Sequence, residues 1–459
     1  MMRYTMNCQQ IISTRAFSDH TLRSKVLVVG TGWSGFRAAR DLDKRKFDVK
    51  LVSPRNHFLF TPLLPSTAVG TLEFRTIQEP ARTIPDINFY QAYVDQLDFD
   101  SRTAFCKDAF IAGHQFELKY DYLILAAGCE TNTFNIKGVE GSRDVFFLKQ
   151  LSDARAIRNR LIECFERASS PAVSEKEKQR LLTFIVVGGG PTNVEFAAEL
   201  FDFIQKDVSR WYPDLYQHAN VKIVEASGHI LGTFHDSIVS YVEKLFHTRK
   251  VDVMTGKAVS EIRGNEAVLQ SGEVLPFGLL VWSAGIRPAS LIRSLSSSLV
   301  SKSPQGRLLV DPFLRVLKAP SSSSEQQLLG GGRVFAMGDC AVDARKPLPA
   351  LAQVANQQGR YLAAALNQGM HNSSGSKQLE PFKYRHLGSM ASVGDWKGVY
   401  DSTNSLSDHA SLAPPVKGFM AFLLWRAAYW TEQVSLRNKV LIPMYWFKSA
   451  IFGRDISSF

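Results

Sequence analysis

The stretch KVLVVGTGWSGFRAARDL, residues 25–42, decides the fold of this chain. Its apolar start is typical of a strand buried on both faces of a parallel sheet, and its Ala-rich end predicts a helix. The residues between them have the spacing of a dinucleotide-binding turn: Gly30, Thr31, Gly32, Trp33, Ser34 and Gly35. Gly30 permits the tight turn, Gly32 lets a pyrophosphate approach the backbone, and Gly35 allows the helix to pack closely.

The second strand, FDVKLV (47–52), ends at Ser53, Pro54 and Arg55. The acid that usually binds a ribose 2′-OH at this place is missing, which departs from the NAD fingerprint. The Ser53 hydroxyl is a weaker hydrogen-bond partner for that ribose. We therefore expect a dinucleotide here, held without a carboxylate.

The same pattern recurs in LLTFIVVGGGPTNVEFAAEL, residues 181–200. Asn193 takes the place of the third glycine, so we expect slightly looser packing of helix against strand. The next strand ends on Glu225, whose carboxylate suits a ribose diol, repels a 2′-phosphate and favours NADH over NADPH. An unoccupied glycine turn is the alternative for either copy. The second turn consists of Gly188, Gly189, Gly190, Pro191 and Thr192.

Three further apolar strands end on small residues that let backbone pass beside a nucleotide. The carboxylate of the last one, Asp339, suits the hydroxyls of a flavin's ribityl chain. Two nucleotide sites in one chain indicate a tightly held flavin and an exchanging nicotinamide. These strand ends are Ala127 and Gly128, Ala284 and Gly285, and Gly338 and Asp339.

Composition excludes several other classes of protein. The five scattered cysteines form no C-x-x-C pair, which disfavours a disulfide scaffold, a zinc ribbon and a dithiol centre, and we expect no metal. No apolar run is long enough for a transmembrane helix. The net charge of +11 allows nucleic acid, anionic lipid or acidic cofactors as partners, but without a dedicated basic cluster we expect no nucleic acid.

The two ends of the chain carry their own signals. Residues 1–24 are basic, hydroxylated and almost free of acids, which is typical of an organelle transit peptide, with a frayed basic terminus as the alternative. Residues 416–459 contain ten aromatics together with Lys and Arg, which favours interfacial helices on a membrane. A dimer interface or core helix is the alternative. The predicted apolar face consists of Phe419, Phe422, Leu423, Trp430 and Val434.

The chain resembles the type II NADH dehydrogenases, the single-chain NADH:quinone oxidoreductases that pump no protons. The motifs are VSPRNHFLFTPLL (52–64), GGGPTNVEFAAEL (188–200), AMGDCA (336–341), LAQVANQQG (351–359) and WFKSAIFGRDIS (446–457). The resemblance implies FAD in the first nucleotide fold, NADH in the second, and hydride transfer from NADH to FAD before two electrons pass to ubiquinone. It also implies a homodimer attached peripherally to the mitochondrial inner membrane, and we expect it on the matrix side.

The resemblance also assigns roles to single residues. Thr61 and Pro62 would lie beside the isoalloxazine, and Glu195 near the contact of nicotinamide and flavin. Gln353 and Gln357 share one helix face, which the family places at the quinone and flavin edge. The alternatives are a surface acid paired with a neighbour for Glu195, and a solvated polar face for the two glutamines.

We thus expect an α/β chain with two Rossmann-like dinucleotide-binding domains and C-terminal amphipathic membrane-anchoring helices. The expected divisions are a transit peptide (1–24), a discontinuous FAD-binding domain (25–148 and 285–411), an NADH-binding domain (149–284) and a membrane-association segment (412–459). One rival is a sulfide:quinone oxidoreductase, which would need two cysteines at the flavin. Another is a redox-sensing flavoprotein of the apoptosis-inducing type.

Overall fold

A computed structural model of the chain describes residues 23–320, 327–369, 380–403 and 414–458. All but the last two residues of the predicted transit peptide therefore lie outside the described residues. The strands are β1 (Ser24–Val29), β2 (Phe47–Val52), β3 (His57–Leu59), β4 (Gln78–Pro80), β5 (Asn88–Tyr90), β6 (Ala92–Asp98), β7 (Thr103–Asp108), β8 (Gln115–Lys119), β9 (Tyr122–Leu125), β10 (Cys129–Thr131), β11 (Val145–Phe147), β12 (Thr183–Val187), β13 (Asn220–Val224), β14 (Asp252–Met254), β15 (Val259–Arg263), β16 (Glu266–Leu269), β17 (Val274–Pro276), β18 (Leu279–Trp282), β19 (Ile286–Pro288), β20 (Leu308–Val310), β21 (Val334–Ala336), β22 (Ala341–Asp343), β23 (Ser389–Ser392), β24 (Gly398–Asp401) and β25 (Val416–Gly418).

Helices connect β1 to β2, β12 to β13 and β13 to β14, as parallel strands require, whereas β6 to β8 and β15 to β17 follow one another directly. A π-helical turn at Ile204–Val208 joins the fifth helix to the sixth. The helices are α1 (Trp33–Asp41), α2 (Leu64–Ala68), α3 (Leu151–Ala168), α4 (Glu175–Leu181), α5 (Pro191–Phe203), α6 (Ser209–Trp211), α7 (Asp236–Thr248), α8 (Ser290–Ser294), α9 (Ala352–Asn367), α10 (Phe419–Thr431) and α11 (Leu436–Phe452).

The first parallel sheet has the strand order β21-β9-β1-β2-β5. Its central strand β1 is apolar throughout its buried part, because helices cover both faces of such a sheet. Helix α9 packs against α1, and Gly359 permits this close approach, since a Cβ there would lie 2.5 Å from the Ser34 carbonyl oxygen. The predicted Rossmann-like architecture is confirmed for this half.

The second parallel sheet has the order β11-β18-β12-β13-β14 and confirms the repeat predicted from the glycine turns. Strand β11 belongs to this sheet and is its first strand along the chain. Strand β21, which comes after all strands of the second sheet, belongs to the first sheet again. The chain therefore runs from the first sheet to the second and back, while the domain limits given above stay a prediction.

The C-terminal unit consists of the antiparallel sheet β23-β24-β25 and the helices α10 and α11. Helix α10 lies directly on β24, where a Cβ at Gly398 would meet the backbone nitrogen of Phe422 at 2.8 Å. No described helix is long and apolar enough to cross a membrane.

The apolar face predicted for the last segment is only partly right. Phe422 is buried against β24, whereas Phe419, Leu423 and Trp430 are exposed. The helix thus has two apolar faces, one packed on the protein and one open, and periodicity alone merged them.

Candidate active site

One cavity of about 2630 Å³ extends from the first glycine turn past helix α5 to helix α10. Sites for ordinary small molecules measure roughly 300–1,000 Å³. The cavity therefore has room for more than one large ligand.

The first glycine turn has the geometry of a phosphate site. Gly30 adopts φ 110°, and a Cβ there would lie 2.3 Å from the Ala126 carbonyl oxygen. A Cβ on Gly35 would lie 2.0 Å from the Gly30 carbonyl oxygen, whereas Gly32 has open space beside it. Helix α1 starts at Trp33 without a side-chain cap, so its first N–H groups remain available to an anion.

The structure brings most of the predicted first-site residues to this cavity, and Gly35 serves packing instead. The indole N–H of Trp33 donates to Thr61 Oγ1 across 3.0 Å, which fixes two of the predicted residues against each other. The predicted residues that line the cavity are Gly30, Thr31, Gly32, Trp33, Ser34, Ser53, Pro54, Arg55, Thr61, Pro62, Ala127, Gly128, Pro191, Thr192, Glu195, Gly338, Asp339, Gln353 and Gln357.

A cation takes the place of the missing acid at the end of β2. The Arg55 guanidinium donates to the His57 carbonyl oxygen (3.0 Å) and to Gln150 Oε1 (2.8 Å). Neither partner is charged, and burial lowers the pKa of Arg55 to about 10. A half-buried cation without a carboxylate partner among the described residues suits an anionic or electron-rich ligand group.

The three glycines of the second turn lie outside this cavity, although Pro191 and Thr192 line it; Glu225, Ala284 and Gly285 also lie outside. Glu225 nevertheless lies at the turn, because its carboxylate accepts hydrogen bonds from the backbone N–H of Gly189 and, across 2.6 Å, of Ser227. These contacts place the acid at the end of β13, where the sequence predicted it.

Asn193 makes hydrogen bonds to the second turn, which the expectation of looser packing did not include. Its Nδ2 donates to the carbonyl oxygens of Val187 and Gly188, both across 2.9 Å. The side chain is 1% exposed, and its Oδ1 has no hydrogen-bond partner among the residues that the structure describes. The amide thus binds the turn to helix α5 in place of the close backbone contact that a glycine would make.

Glu195 is a buried acid on helix α5 at the wall of the cavity. Its Oε1 accepts hydrogen bonds from the backbone N–H of Ser392 (3.0 Å) and the indole N–H of Trp425 (2.9 Å). Burial raises the pKa of Glu195 to about 8, although both donors act in the opposite direction. The geometry therefore excludes the alternative of a surface acid, and Glu195 can hold or release a proton near neutral pH.

A half-buried polar cluster beside Asp339 was not predicted from the sequence. The Cys129 thiol donates to Asp339 Oδ2 across 3.0 Å and accepts from Lys149 Nζ across 3.1 Å. Burial alone would lower the pKa of Lys149, but Cys129 and Asp339 outweigh it and the pKa is raised. Burial, with Asp339, raises the pKa of Cys129 to about 12, so the thiol stays protonated. Lys149 lies between strand β11 and helix α3, and no sequence motif pointed to it.

Gln353 and Gln357 share one face, as predicted, but their amides bind backbone. Gln353 donates to the Gly388 carbonyl oxygen and accepts from Leu387 N–H, at 3.2 and 3.0 Å. Gln357 pairs with both backbone groups of Arg385, at 2.8 and 3.0 Å. The two glutamines thus hold segment 385–388 against the cavity, which excludes a merely solvated face.

The C-terminal unit closes one end of the cavity. Tyr429 is half-buried there and contacts the rings of Phe60 (5.8 Å) and Trp425 (5.0 Å). Cys129 is the only cysteine of the described residues that lines the cavity. The cysteine pair that a sulfide:quinone oxidoreductase would need is therefore not found in this part of the chain.

Comparisons with known proteins agree with this geometry. The family model for pyridine nucleotide-disulphide oxidoreductases matches residues 24–359, and the model for the NDH2 C-terminal domain matches residues 386–455. A probable NADH dehydrogenase of Dictyostelium discoideum is 41% identical over 95% of this chain and 91% of its own length. The internal alternative NAD(P)H-ubiquinone oxidoreductase A1 of Arabidopsis thaliana, a mitochondrial protein, is 39% identical over 95% and 86%. The structure of NDH2 from Plasmodium falciparum in complex with NADH superposes with a TM-score of 0.86 and 26% identity, covering 95% of this chain and all of the other.

Proposed function

Because the chain belongs to the type II NADH:ubiquinone oxidoreductase family, we propose that it binds FAD at the first glycine turn and NADH at the second, and reduces ubiquinone. The observation that carries the proposal is the single cavity that joins the first turn, Glu195 and the C-terminal helix α10. A nicotinamide, a flavin and a quinone must meet in one enclosed space for such a reaction.

The residues of the first site fit FAD. The open space at Gly32 and the uncapped start of α1 suit its pyrophosphate. Arg55 supplies a half-buried cation that binds no carboxylate of the described residues, and Asp339 supplies a carboxylate close to a strand end. When bound, FAD supplies the chemistry that accepts a hydride and passes on electrons.

The chain's own residues bind and orient the substrates. The Glu225 carboxylate accepts hydrogen bonds from the ribose hydroxyls of NADH and disfavours the 2′-phosphate of NADPH by charge repulsion. Trp33 and Thr61, joined by their hydrogen bond, form a rigid wall beside the first turn. Gln353 and Gln357 act here as positioning residues, because they hold segment 385–388 at the cavity and thereby exclude water.

Glu195 is the proton-holding group of the proposed site. With a pKa of about 8, it is protonated in part of the molecules near neutral pH and can deliver a proton into the cavity. Glu199 lies one turn further along the same helix, and its charge raises the pKa of Glu195. Ser392 and Trp425 hold the carboxyl group in one orientation.

The outer faces of α10 and α11 suit a membrane surface, where a quinone is dissolved. They expose a large apolar area: Phe419, Met420, Leu423, Leu424, Val440, Met444, Phe447 and Ile451, called the outer apolar surface below. A peripheral helix pair of this kind lies in the headgroup layer. We include in the proposal attachment to the matrix side of the mitochondrial inner membrane, as a homodimer.

The proposal is tested with purified holoprotein and a short-chain ubiquinone. We expect NADH-dependent quinone reduction, and a loss of about a hundredfold in kcat for Glu195→Gln, in the range of a lost general acid. Glu166→Gln is the matched control, since this exposed acid only bonds Tyr212. An enzyme that takes a hydride from NADH but reduces no quinone would instead favour the redox-sensing flavoprotein. Protease protection in intact and opened mitochondria tests the matrix location, and light scattering tests the dimer.

A further inference from the structure

Arg426 of helix α10 is surrounded by three aromatic rings. Its guanidinium carbon lies 4.5 Å from the ring centres of Phe422 and Trp446 and 4.9 Å from that of Trp396. Such distances correspond to cation–π contacts between the guanidinium and each ring. These contacts involve the charge of the guanidinium and leave its N–H donors without an acceptor.

Such an acceptor is not found among the described residues. None of their carboxylates lies within ion-pair distance of Arg426, and its buried Nε has no hydrogen-bond acceptor. The nearest interacting acid is Glu199, which raises the pKa of Arg426 but is already bound by Arg454 (3.0 Å), Ser66 (2.9 Å) and Thr71 (2.6 Å).

The cation stays charged although it is half-buried. Burial lowers the pKa of Arg426 to about 10, which still leaves the guanidinium protonated at neutral pH. A charged group with unmet hydrogen-bond donors is costly in an apolar setting. The arrangement is therefore complete only when an anion or water meets those donors.

Arg426 lies at the rim of the outer apolar surface. On helix α10 it follows Leu423 by three residues and precedes Trp430 by four, so the three share one side. Leu423 and Trp430 are 41% and 42% exposed, and Trp396 is 46% exposed. When this surface rests in a headgroup layer, the guanidinium reaches the level of the lipid phosphates.

We propose that Arg426, Trp396, Phe422 and Trp446 form a binding site for the phosphate of an anionic phospholipid. The planar guanidinium donates two N–H groups to two phosphate oxygens, and the rings fix its plane. Charge complementarity selects this occupant, because the C-terminal segment 416–458 also carries Lys417, Arg437, Lys439 and Lys448 against only two acids, Glu432 and Asp455. The inference rests on the proposed membrane attachment and deepens it.

Vesicle binding by the holoprotein tests the site. Wild type and Arg426→Lys are titrated with vesicles of phosphatidylcholine alone and of phosphatidylcholine mixed with phosphatidylglycerol. Lysine keeps the charge but cannot donate in a fixed fork, so we expect binding to the anionic vesicles to weaken about five- to tenfold. Lys448→Arg is the matched control, because it changes a cation on the same surface outside the aromatic site, and it should bind as wild type does.

A second readout keeps the test independent of folding. Soluble short-chain phosphatidylglycerol should change the tryptophan fluorescence of wild type, through Trp396 and Trp446, and change that of Arg426→Lys far less. Equal vesicle binding by wild type and Arg426→Lys would overturn the site while leaving membrane attachment intact. An equal fluorescence response to inorganic phosphate would overturn the assignment to lipid. Absence of binding to every vesicle would instead overturn the membrane attachment of the proposed function.

Discussion

Replacing Trp425 by Phe removes the indole N–H that donates to Glu195 Oε1 across 2.9 Å, while the ring stays in place. The carboxylate then keeps one donor to this oxygen, the backbone N–H of Ser392 at 3.0 Å. Because such donors stabilise the charged form, their loss must raise the pKa of Glu195 further.

The size of the change follows from the energy of the hydrogen bond. A hydrogen bond to a charged group contributes about 1.5–3 kcal/mol, and one pKa unit corresponds to about 1.4 kcal/mol. The pKa of Glu195, about 8 in the wild type, should therefore rise by about one to two units in Trp425→Phe. Glu199, whose charge also raises the pKa of Glu195, is unchanged, whereas Tyr429 loses the hydrogen bond with Trp425 that lowers its own pKa.

Infrared difference titration of the carboxyl stretch measures this pKa directly, and Glu195→Gln identifies the band. The pH profile of kcat for quinone reduction should shift upward by the same amount. Trp430→Phe is the matched control, because that indole donates to the Lys439 carbonyl oxygen and not to Glu195. An unchanged carboxyl titration in Trp425→Phe would show that this hydrogen bond does not affect the pKa of Glu195.

Three further outcomes are expected. Glu225→Gln should reduce the ratio of kcat/KM for NADH to that for NADPH by about tenfold, because the repulsion of the 2′-phosphate is lost. Steady-state kinetics with both substrates measure this ratio. An unchanged ratio would show that Glu225 does not discriminate between NADH and NADPH. Gly32→Val should fold normally but lose flavin, because its side chain fills only the space of the ligand; the absorbance ratio of flavin to protein measures this loss. Gly30→Ala should lose flavin and also lower the midpoint of thermal unfolding, because a Cβ there would lie 2.3 Å from the Ala126 carbonyl oxygen. Arg454→Met should destabilise the protein by about 3–5 kcal/mol in thermal unfolding, because two buried carboxylates lose their cation, whereas the exposed Arg345→Met should have little effect.

The glycine turns were predictable because their requirements are local. Gly30 needs a positive φ and space at Ala126, and Gly35 needs contact with its own turn, so spacing within a few residues reveals both. Glu225 was predictable for the same reason, because it comes directly after the last residue of strand β13. The two parallel sheets could be inferred from these repeats.

The rest of the site depends on partners far away in the chain. The backbone that Gln353 and Gln357 bind comes about 30 residues later, after a connection whose path the sequence does not reveal. Likewise Trp425 meets Glu195 across 230 positions, and only the docking of α10 on β24 decides that Phe422 is buried. Aromatic residues predicted an apolar segment there but not which face would open outward.

In the proposed reaction, electrons pass from NADH to quinone through a flavin in one cavity. Stopped-flow spectroscopy of the purified holoprotein tests it most directly, with NADH mixed first and a short-chain ubiquinone second. We expect fast bleaching of the flavin by NADH, slow bleaching by NADPH, and prompt return of the flavin absorbance with quinone. Flavin bleaching that quinone does not reverse would contradict the proposed transfer of electrons from the flavin to quinone.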